Sequence, residues 1–176
     1  MQTVKMVITG AVNSGKTRFI RTISEIDVVS TERRTTGEAR LVKGETTVAM
    51  DFGRITVARD LVLHLFGTPG QKRFDFMWDI LSEGMLGLLI LVDSARPETF
   101  RETLRIIDFF TSFRESPYVI VANKQDLENA WAPEELRLAL RLPESIKVLP
   151  CVATDRESVK GVLLELLYLV LQSAEE

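Results

Sequence analysis

The chain has 176 residues, of which 45% are hydrophobic, so residues 1–176 can bury one core of ordinary size and leave no room for a second domain. The net charge is −3 and the basic residues are scattered, which excludes a continuous basic face and argues against nucleic acid as a partner. Cys151 is the single cysteine, which excludes an internal disulfide and favours a reducing, cytoplasmic location.

We expect neither secretion nor a direct membrane anchor. Residues 1–5 lead straight into the first apolar segment and leave no room for a signal peptide. The longest apolar stretch, residues 85–92, is too short to span a bilayer, and residues 172–176 contain no cysteine for prenylation. Any membrane attachment would therefore come through a partner.

Strand-like and helix-like patterns alternate along the chain. Strand patterns occupy residues 4–9, 46–57, 61–66, 86–93, 118–122 and 147–150. Helical patterns occupy residues 15–26, 97–114, 132–141 and 157–171. The alternation predicts an α/β fold with a six-stranded, mainly parallel sheet and helices on both faces. No helix separates the strands at 46–57 and 61–66, and Asp60 with Arg54 or Arg59 suits a hairpin turn, so one edge strand is predicted to be antiparallel.

The first strand pattern leads directly into the sequence GAVNSGKT at residues 10–17. This spacing is typical of a phosphate loop, in which backbone N–H groups surround the phosphates, a lysine reaches the β- and γ-phosphates and a Ser or Thr hydroxyl ligates Mg²⁺. The predicted nucleotide and metal ligands are Asn13, Ser14, Gly15, Lys16 and Thr17. The loop alone would serve ATP or GTP.

A second motif, NKQD at residues 123–126, follows the strand pattern at residues 118–122. A fixed carboxylate on Asp126 can accept hydrogen bonds from N1–H and the 2-amino group of guanine, a donor pair that adenine lacks. Asn123 would brace the loop, and the stem of Lys124 would lie along the purine face. Together with the phosphate loop, the motif indicates a guanine nucleotide.

Several candidate segments directly follow predicted strands and therefore fall on one rim of the sheet, because open α/β sheets bind ligands at the carboxyl ends of their strands. They are residues 10–17, 67–71, 93–94, 123–126 and 151–155. In the last of them, a backbone N–H of Ala153 or Thr154 would reach the guanine carbonyl oxygen. We expect all these segments to form one nucleotide site.

The ordered motifs resemble those of the Ras-like small GTPases, over essentially the whole chain. The resemblance implies a P-loop NTPase G domain that binds GTP and Mg²⁺ and hydrolyses GTP to GDP. The superfamily's third motif, Asp-x-x-Gly-Gln, is matched by GTPGQ at residues 67–71, where Gly67 replaces the aspartate. The resemblance assigns the N–H of Gly70 to the γ-phosphate and Gln71 to orienting the attacking water.

The glycine at position 67 and the Pro-Gly-Gln that follows are similar to the MglA-like small GTPases and to those of actinobacterial conservon operons. Those proteins carry a threonine ahead of a similar Asp-Phe in the second strand, which assigns Thr47 as the switch I threonine that senses Mg²⁺ and γ-phosphate. The alternatives are Thr46, Thr35 and Thr36. Asp51 is the candidate to replace the acid missing at Gly67 by holding a Mg²⁺-bound water, while an edge-strand salt bridge would also explain it.

Two features predict slow intrinsic hydrolysis. Val12 stands where fast-cycling Ras-like proteins usually have glycine, and its branched side chain would crowd Gln71 and the water. In the MglA-like group an arginine just before the switch I threonine neutralises developing charge, but this chain has Thr46 there. The nearby substitutes are Arg33, Arg34, Arg40 and Arg73, each of which also fits a solvated surface charge.

The resemblance implies a Roadblock/longin-type partner that binds the switch regions and stimulates hydrolysis. The sequence FDFMW at residues 74–78 lies in the corresponding switch II, where exposed aromatic residues would anchor a partner and buried ones would pack beneath the switch. We expect Phe76 and Trp78 to divide between these roles. The leading interpretation is a GTP-dependent switch whose catalytic residues are Gln71, Lys16 and Thr47. The alternative is a scaffold that binds GTP or GDP without hydrolysis.

Overall fold

Strands and helices alternate throughout the computed structural model, which describes residues 1–30, 50–70, 75–113 and 115–176. The strands are β1 (Gln2–Gly10), β2 (Val29–Ser30), β3 (Asp51–Ala58), β4 (Leu61–Gly67), β5 (Gly87–Asp93), β6 (Tyr118–Asn123) and β7 (Val148–Pro150). The helices are α1 (Lys16–Ile23), α2 (Met77–Ser82), α3 (Phe100–Phe113), α4 (Pro133–Ala139) and α5 (Arg156–Glu175). A 3₁₀ turn at Pro97–Thr99 leads into α3.

One sheet joins all of these strands in the order β2-β3-β4-β1-β5-β6-β7. The strands β4, β1, β5, β6 and β7 are parallel to their neighbours in that series. Every residue of β5 is buried, as expected of a central parallel strand covered on both faces. The predicted α/β fold with a mainly parallel sheet is confirmed.

The antiparallel part of the sheet differs from the prediction in one respect. β3 pairs antiparallel with β4, so the predicted hairpin is confirmed, but β3 also pairs with β2 and is not the edge strand. Among the described residues, the sheet therefore has seven strands rather than six. β2 has only two residues, which is too short to produce a periodic sequence signal. Residues 46–49 of the predicted strand lie outside the described ranges.

The helices cover both faces of the sheet, as predicted. On one face, α1 and α5 bury residues such as Phe19, Ile20 and Leu166 against the sheet. On the other face, α3 and α4 contribute Phe110 and Leu136 to a second core. None of the helices in the described ranges combines the length and apolar character needed to cross a membrane.

Helix α2 was not predicted from the sequence. It has six residues, which is less than two turns and too short to show helical periodicity. Its Trp78 packs against Phe109 and Phe110 of α3, with ring centroids 5.1 and 5.6 Å away. Tertiary packing against α3, rather than a local pattern, therefore fixes this helix.

Candidate functional site

A cleft of about 650 Å³ opens at the carboxyl ends of the parallel strands. Its volume is within the usual range for small-molecule sites. Of the predicted ligands, the cleft is lined by Asn13, Gly15, Lys16, Thr17, Asp51, Gly70 and Lys124. Segments that are far apart in the sequence therefore meet at one rim of the sheet, where the strand order placed them.

The phosphate-loop sequence forms a tight turn between β1 and α1. Asn13 has φ of 63° and Gly15 has φ of 103°, both in the left-handed region that alternates with right-handed residues in anion-binding nests. A side chain at Gly15 would collide with the amide of Asn123, so glycine is required there for packing as well as for conformation. The helix that begins at Lys16 directs its first-turn N–H groups and its positive dipole end to this turn.

Lys16 concentrates positive charge inside the turn. Its side chain is largely buried, and its Nζ donates hydrogen bonds to the carbonyl oxygens of Gly10 at 2.6 Å and Ala11 at 2.8 Å. A Cβ atom at Gly70 would lie 3.0 Å from that Nζ and 2.9 Å from the Cα of Val12. The loop after β4 thus packs directly on the phosphate loop, and glycine at position 70 permits the approach.

Asp51 occupies the space next to the glycine that replaces the superfamily's acid. It lies directly opposite Gly67 in the β3–β4 register, and a Cβ at Gly67 would be 3.3 Å from the Cβ of Asp51. Its Oδ2 accepts a hydrogen bond from the hydroxyl of Thr17. No ion pair of Asp51 is found within the described ranges, and the edge-strand salt bridge stays an alternative prediction.

The donor set of Thr17 and Asp51 fits Mg²⁺. A hydroxyl and a carboxylate supply the oxygen ligands that this ion prefers, and Mg²⁺ keeps several waters and binds phosphates instead of filling its shell with protein groups. In the part of the chain that the structure describes, no group of three or more His, Cys, Asp and Glu side chains could hold a metal.

Asn123 links the guanine motif to the phosphate loop. Its side chain is 1% exposed, and its Nδ2 donates to the carbonyl oxygen of Ser14 at 2.8 Å. Its Oδ1 accepts the N–H of Ala153 at 3.0 Å. The N–H of Ala153 therefore has a partner here that it would have to exchange to reach guanine, and its role at the base stays a prediction. Thr154, the other predicted donor, is exposed in the same loop.

Lys124 is held in place by a buried carboxylate at the end of the neighbouring strand. Its Nζ lies 2.7 Å from Oδ2 of Asp93, whose side chain is 1% exposed. Lys124 itself has φ of 63°, so the loop turns sharply at this residue. The sequence marked Asp93 only as a residue at the rim, since nothing in the pattern pairs it with a lysine 31 positions away.

The rest of the NKQD loop is fixed by its glutamine. Nε2 of Gln125 donates to the hydroxyl of Ser94 at 3.0 Å and to the carbonyl oxygen of Trp131 at 2.9 Å, while its backbone N–H donates to the carbonyl oxygen of Cys151. Burial raises the pKa of the Cys151 thiol, which therefore stays neutral. Asp126 follows Gln125 and is exposed, so its carboxylate is accessible to a ligand on a rigid loop.

Comparisons with known proteins agree with this architecture. A family model described as a conserved hypothetical ATP binding protein matches residues 27–173. An uncharacterised protein of Methanocaldococcus jannaschii is 36% identical over 124 residues, which are 70% of this chain and 71% of the relative. The mutual gliding-motility protein MglA of Myxococcus xanthus is 32% identical over 109 residues, 56% of each chain. ADP-ribosylation factor-like protein 3 of Saccharomyces cerevisiae is 25% identical over 167 residues, 90% of this chain and 81% of the relative.

The chain belongs to that family, within the Ras-like small GTPase superfamily. The resemblance found in the sequence motifs is therefore confirmed. The family match begins at residue 27, after the phosphate loop, so the assignment of residues 10–17 depends on their sequence and their geometry.

Some superfamily positions lie outside the described residues. They are Gln71, Thr47, the alternatives Thr46, Thr35 and Thr36, and the arginines Arg33, Arg34, Arg40 and Arg73. Their roles in this small GTPase stay predictions. The structure adds two cleft-lining arginines that the sequence did not single out, Arg18 and Arg96.

Replacing Asp93 by asparagine is expected to weaken GDP binding by about tenfold or more, because Lys124 loses a charge-assisted hydrogen bond worth about 1.5–3 kcal/mol. The dissociation rate of a fluorescent GDP analogue measures the effect. In a double-mutant cycle with Lys124→Met, the two losses should not add, since both variants remove the same contact. Additive losses would contradict the assigned coupling.

Proposed function

We propose that the protein is a guanine-nucleotide-dependent switch that binds GTP with Mg²⁺ and hydrolyses it slowly to GDP. The observation that carries the proposal is the side chain of Asn123, which joins the NKQD loop to the phosphate loop through its 2.8 Å bond to Ser14. One buried amide thus holds a base-reading motif next to a phosphate-binding motif. This arrangement favours a purine nucleotide that lies across both motifs.

The nucleotide we propose is guanine, although the matching family model has an ATP-binding description. A carboxylate at position 126 is an acceptor without a donor, so it matches the N1–H and 2-amino groups of guanine and would face the unprotonated N1 of adenine. The relatives that support a switch are small GTPases, among them MglA and an ADP-ribosylation factor-like protein.

Each proposed ligand has a separate role in the cleft. Lys16 would bind the β- and γ-phosphates, and Gly70 would donate its N–H to the γ-phosphate. Thr17 and Thr47 would hold Mg²⁺, with Asp51 accepting a hydrogen bond from a water of its shell. When bound, the ion would neutralise charge on the phosphates. Gln71 would orient the attacking water.

A protein partner is proposed at switch II. Phe76 is 52% exposed and Ile80 is 55% exposed, whereas Trp78 is 3% exposed, which supports an anchoring role for Phe76 and a packing role for Trp78. Exposed aromatic and aliphatic side chains next to a nucleotide cleft suit an interface that responds to the nucleotide. The partner class implied by the resemblance is a Roadblock/longin-type dimer.

The test is single-turnover hydrolysis of γ-labelled GTP by the purified protein with Mg²⁺, alone and with a Roadblock/longin-type protein. We expect slow release of phosphate, acceleration by the partner, and loss of turnover in Gln71→Leu with GTP binding retained. Tight GTP binding with no turnover in either condition would instead support the non-hydrolysing scaffold, which Val12 and Gly67 favour. No binding of guanine nucleotide would refute both readings.

Arg96 is expected to assist hydrolysis. It lines the cleft, its side chain is 58% exposed, and its Nε lies 3.8 Å from Asp93, a distance that leaves the guanidinium free to turn to a ligand. We expect Arg96→Ala to slow single-turnover hydrolysis by at least about tenfold, which is well below the full effect of an arginine finger. Affinity for GDP should stay unchanged.

The matched control is Arg101→Ala, because Arg101 is an exposed arginine of α3 that does not line the cleft. Equal hydrolysis in both variants and the wild type would remove Arg96 from the proposed chemistry.

A further inference from the structure

The outer face of α5 carries an apolar stripe. Leu164 is 48% exposed, Tyr168 is 57% exposed and Leu171 is 53% exposed. Their spacing of four and three residues places them on one side of the helix. Gly161, three residues before Leu164, extends the stripe towards the start of the helix. A Cβ at Gly161 would meet nothing within 4 Å. The opposite side of α5 packs into the core, so this helix is apolar on two sides, whereas an ordinary surface helix is polar on its outer side.

An apolar groove runs beside the first half of this stripe. It has a volume of about 320 Å³, and its walls include Ile55 and Val57 of β3 together with Leu164 of α5. Arg156 and Lys160 stand along it on the helix, with Glu157 between them. Contiguous exposed apolar surface of this kind marks interaction sites. None of these residues lines the nucleotide cleft.

The charges along α5 favour one occupant. Arg156, Glu157 and Lys160 lie near its amino-terminal end, which therefore carries a net charge of +1, and Glu175 and Glu176 give its carboxyl-terminal end a charge of −2. A helix with this distribution is complementary to a copy of itself that runs in the opposite direction, because each basic end then meets an acidic end. Such a self-complementary patch is what a two-fold interface requires.

We infer that the stripe of α5 binds a second copy of this chain, with the two α5 helices antiparallel. In the register that pairs the residues best, Lys160 faces Glu175 of the partner subunit and Leu164 faces Leu171 of the partner subunit. Tyr168 lies beside the two-fold axis.

The expected dimer is reversible. α5 has 20 residues and is therefore about 30 Å long, so a helix pair flanked by the groove buries less surface than a typical obligate dimer. Because one ion pair between the subunits lies at each end of the helix pair, association should weaken as salt concentration rises. The nucleotide cleft stays accessible in this arrangement.

Sedimentation velocity of the full chain over a wide range of protein concentration tests the inference. We expect a concentration-dependent monomer–dimer equilibrium in the wild type and a monomer in Tyr168→Glu. Leu138→Glu is the matched control, because Leu138 is 79% exposed on α4 and lies outside the stripe. This variant should dimerise like the wild type. Thermal unfolding of each variant separates loss of association from loss of the fold.

Charge reversal tests the antiparallel register. Lys160→Glu and Glu175→Lys should each weaken the dimer by about tenfold, and the double variant should restore it, because the reversed pair is again complementary. Failure of the double variant to recover would overturn the register. A wild type that is monomeric at all protein concentrations would overturn the inference. The inference would fail in the same way if Tyr168 mediated binding to anionic vesicles instead of dimerisation.

Discussion

Replacing Asp126 by asparagine is expected to weaken GDP and GTP binding by about a hundredfold or more. The carboxylate would lose two hydrogen bonds to guanine, each worth about 1.5–3 kcal/mol when one partner is charged. A carboxamide presents one acceptor and one donor, which match the N1–H and the C2 carbonyl oxygen of xanthine. The variant should therefore prefer xanthosine diphosphate. Competition titrations against a fluorescent GDP analogue measure both affinities.

Glu128→Gln is the matched control for this substitution. Glu128 is an exposed acid two residues further along the same loop, so its change alters the net charge equally without touching the proposed base contact. We expect guanine affinity in this variant to stay within a few-fold of the wild type. If Asp126→Asn also leaves guanine affinity unchanged, Asp126 does not read the base.

The motifs at the rim were predictable because each is continuous in sequence and follows a strand. Residues 10–17 and 123–126 carry their own spacing, and the parallel order of the strands alone determines that both lie at the carboxyl ends. A helical periodicity of apolar residues likewise predicted α5, and a continuous apolar run predicted β5. By contrast, β2 and α2 have two and six residues, and pairing or packing with distant residues determines both.

Contacts between segments were the part that the sequence could not supply. The bond between Asp93 and Lys124 depends on the register of β5 against β6, which sets Asp93 directly opposite Asn123. The N–H of Ala153 was predicted to be available for guanine, but the position of Asn123 gives it another partner. Spacing along the chain reports local geometry, whereas hydrogen-bond partners across strands require the tertiary structure.

The role of Asp51 could be predicted only in part from the sequence. The absence of an acid at Gly67 was visible in the sequence, and an acid in the adjoining strand was the natural candidate to replace it. Its identity as the cross-strand neighbour depends on the β3–β4 register, in which Asp51 lies opposite Gly67. The sequence therefore raised the hypothesis, and the pairing gives it a geometric basis.

Substituting Asp51 by alanine is expected to reduce the Mg²⁺-dependent part of nucleotide affinity by about 10–100-fold, the usual cost of losing a group that orients a metal's ligands. The bond from the Thr17 hydroxyl disappears, and so does the acceptor proposed for a Mg²⁺-bound water. The readout is the dissociation rate of a fluorescent GDP analogue with Mg²⁺ and with excess chelator. The variant and the wild type should differ with Mg²⁺ and converge when the ion is removed.

Moving the acid across the strand pair supplies the control. Gly67→Asp alone should destabilise the protein, because a new Cβ would lie 2.9 Å from Cδ1 of Ile20 and 3.3 Å from the Cβ of Asp51, and the two carboxylates would repel. In the double variant Asp51→Gly/Gly67→Asp, the contact with Asp51 and the repulsion between carboxylates are removed, and only Cδ1 of Ile20, at the far end of its side chain, has to shift. The transferred acid then stands at the superfamily's usual position.

Recovery of Mg²⁺-dependent GDP retention in the double variant would show that the site needs one carboxylate at this point of the β3–β4 pair, whichever strand provides it. The opposite outcome is a double variant that loses GDP as fast as Asp51→Ala but is as stable to heat as the wild type. That result would mean that Asp51 acts on Thr17 alone and does not replace the missing acid.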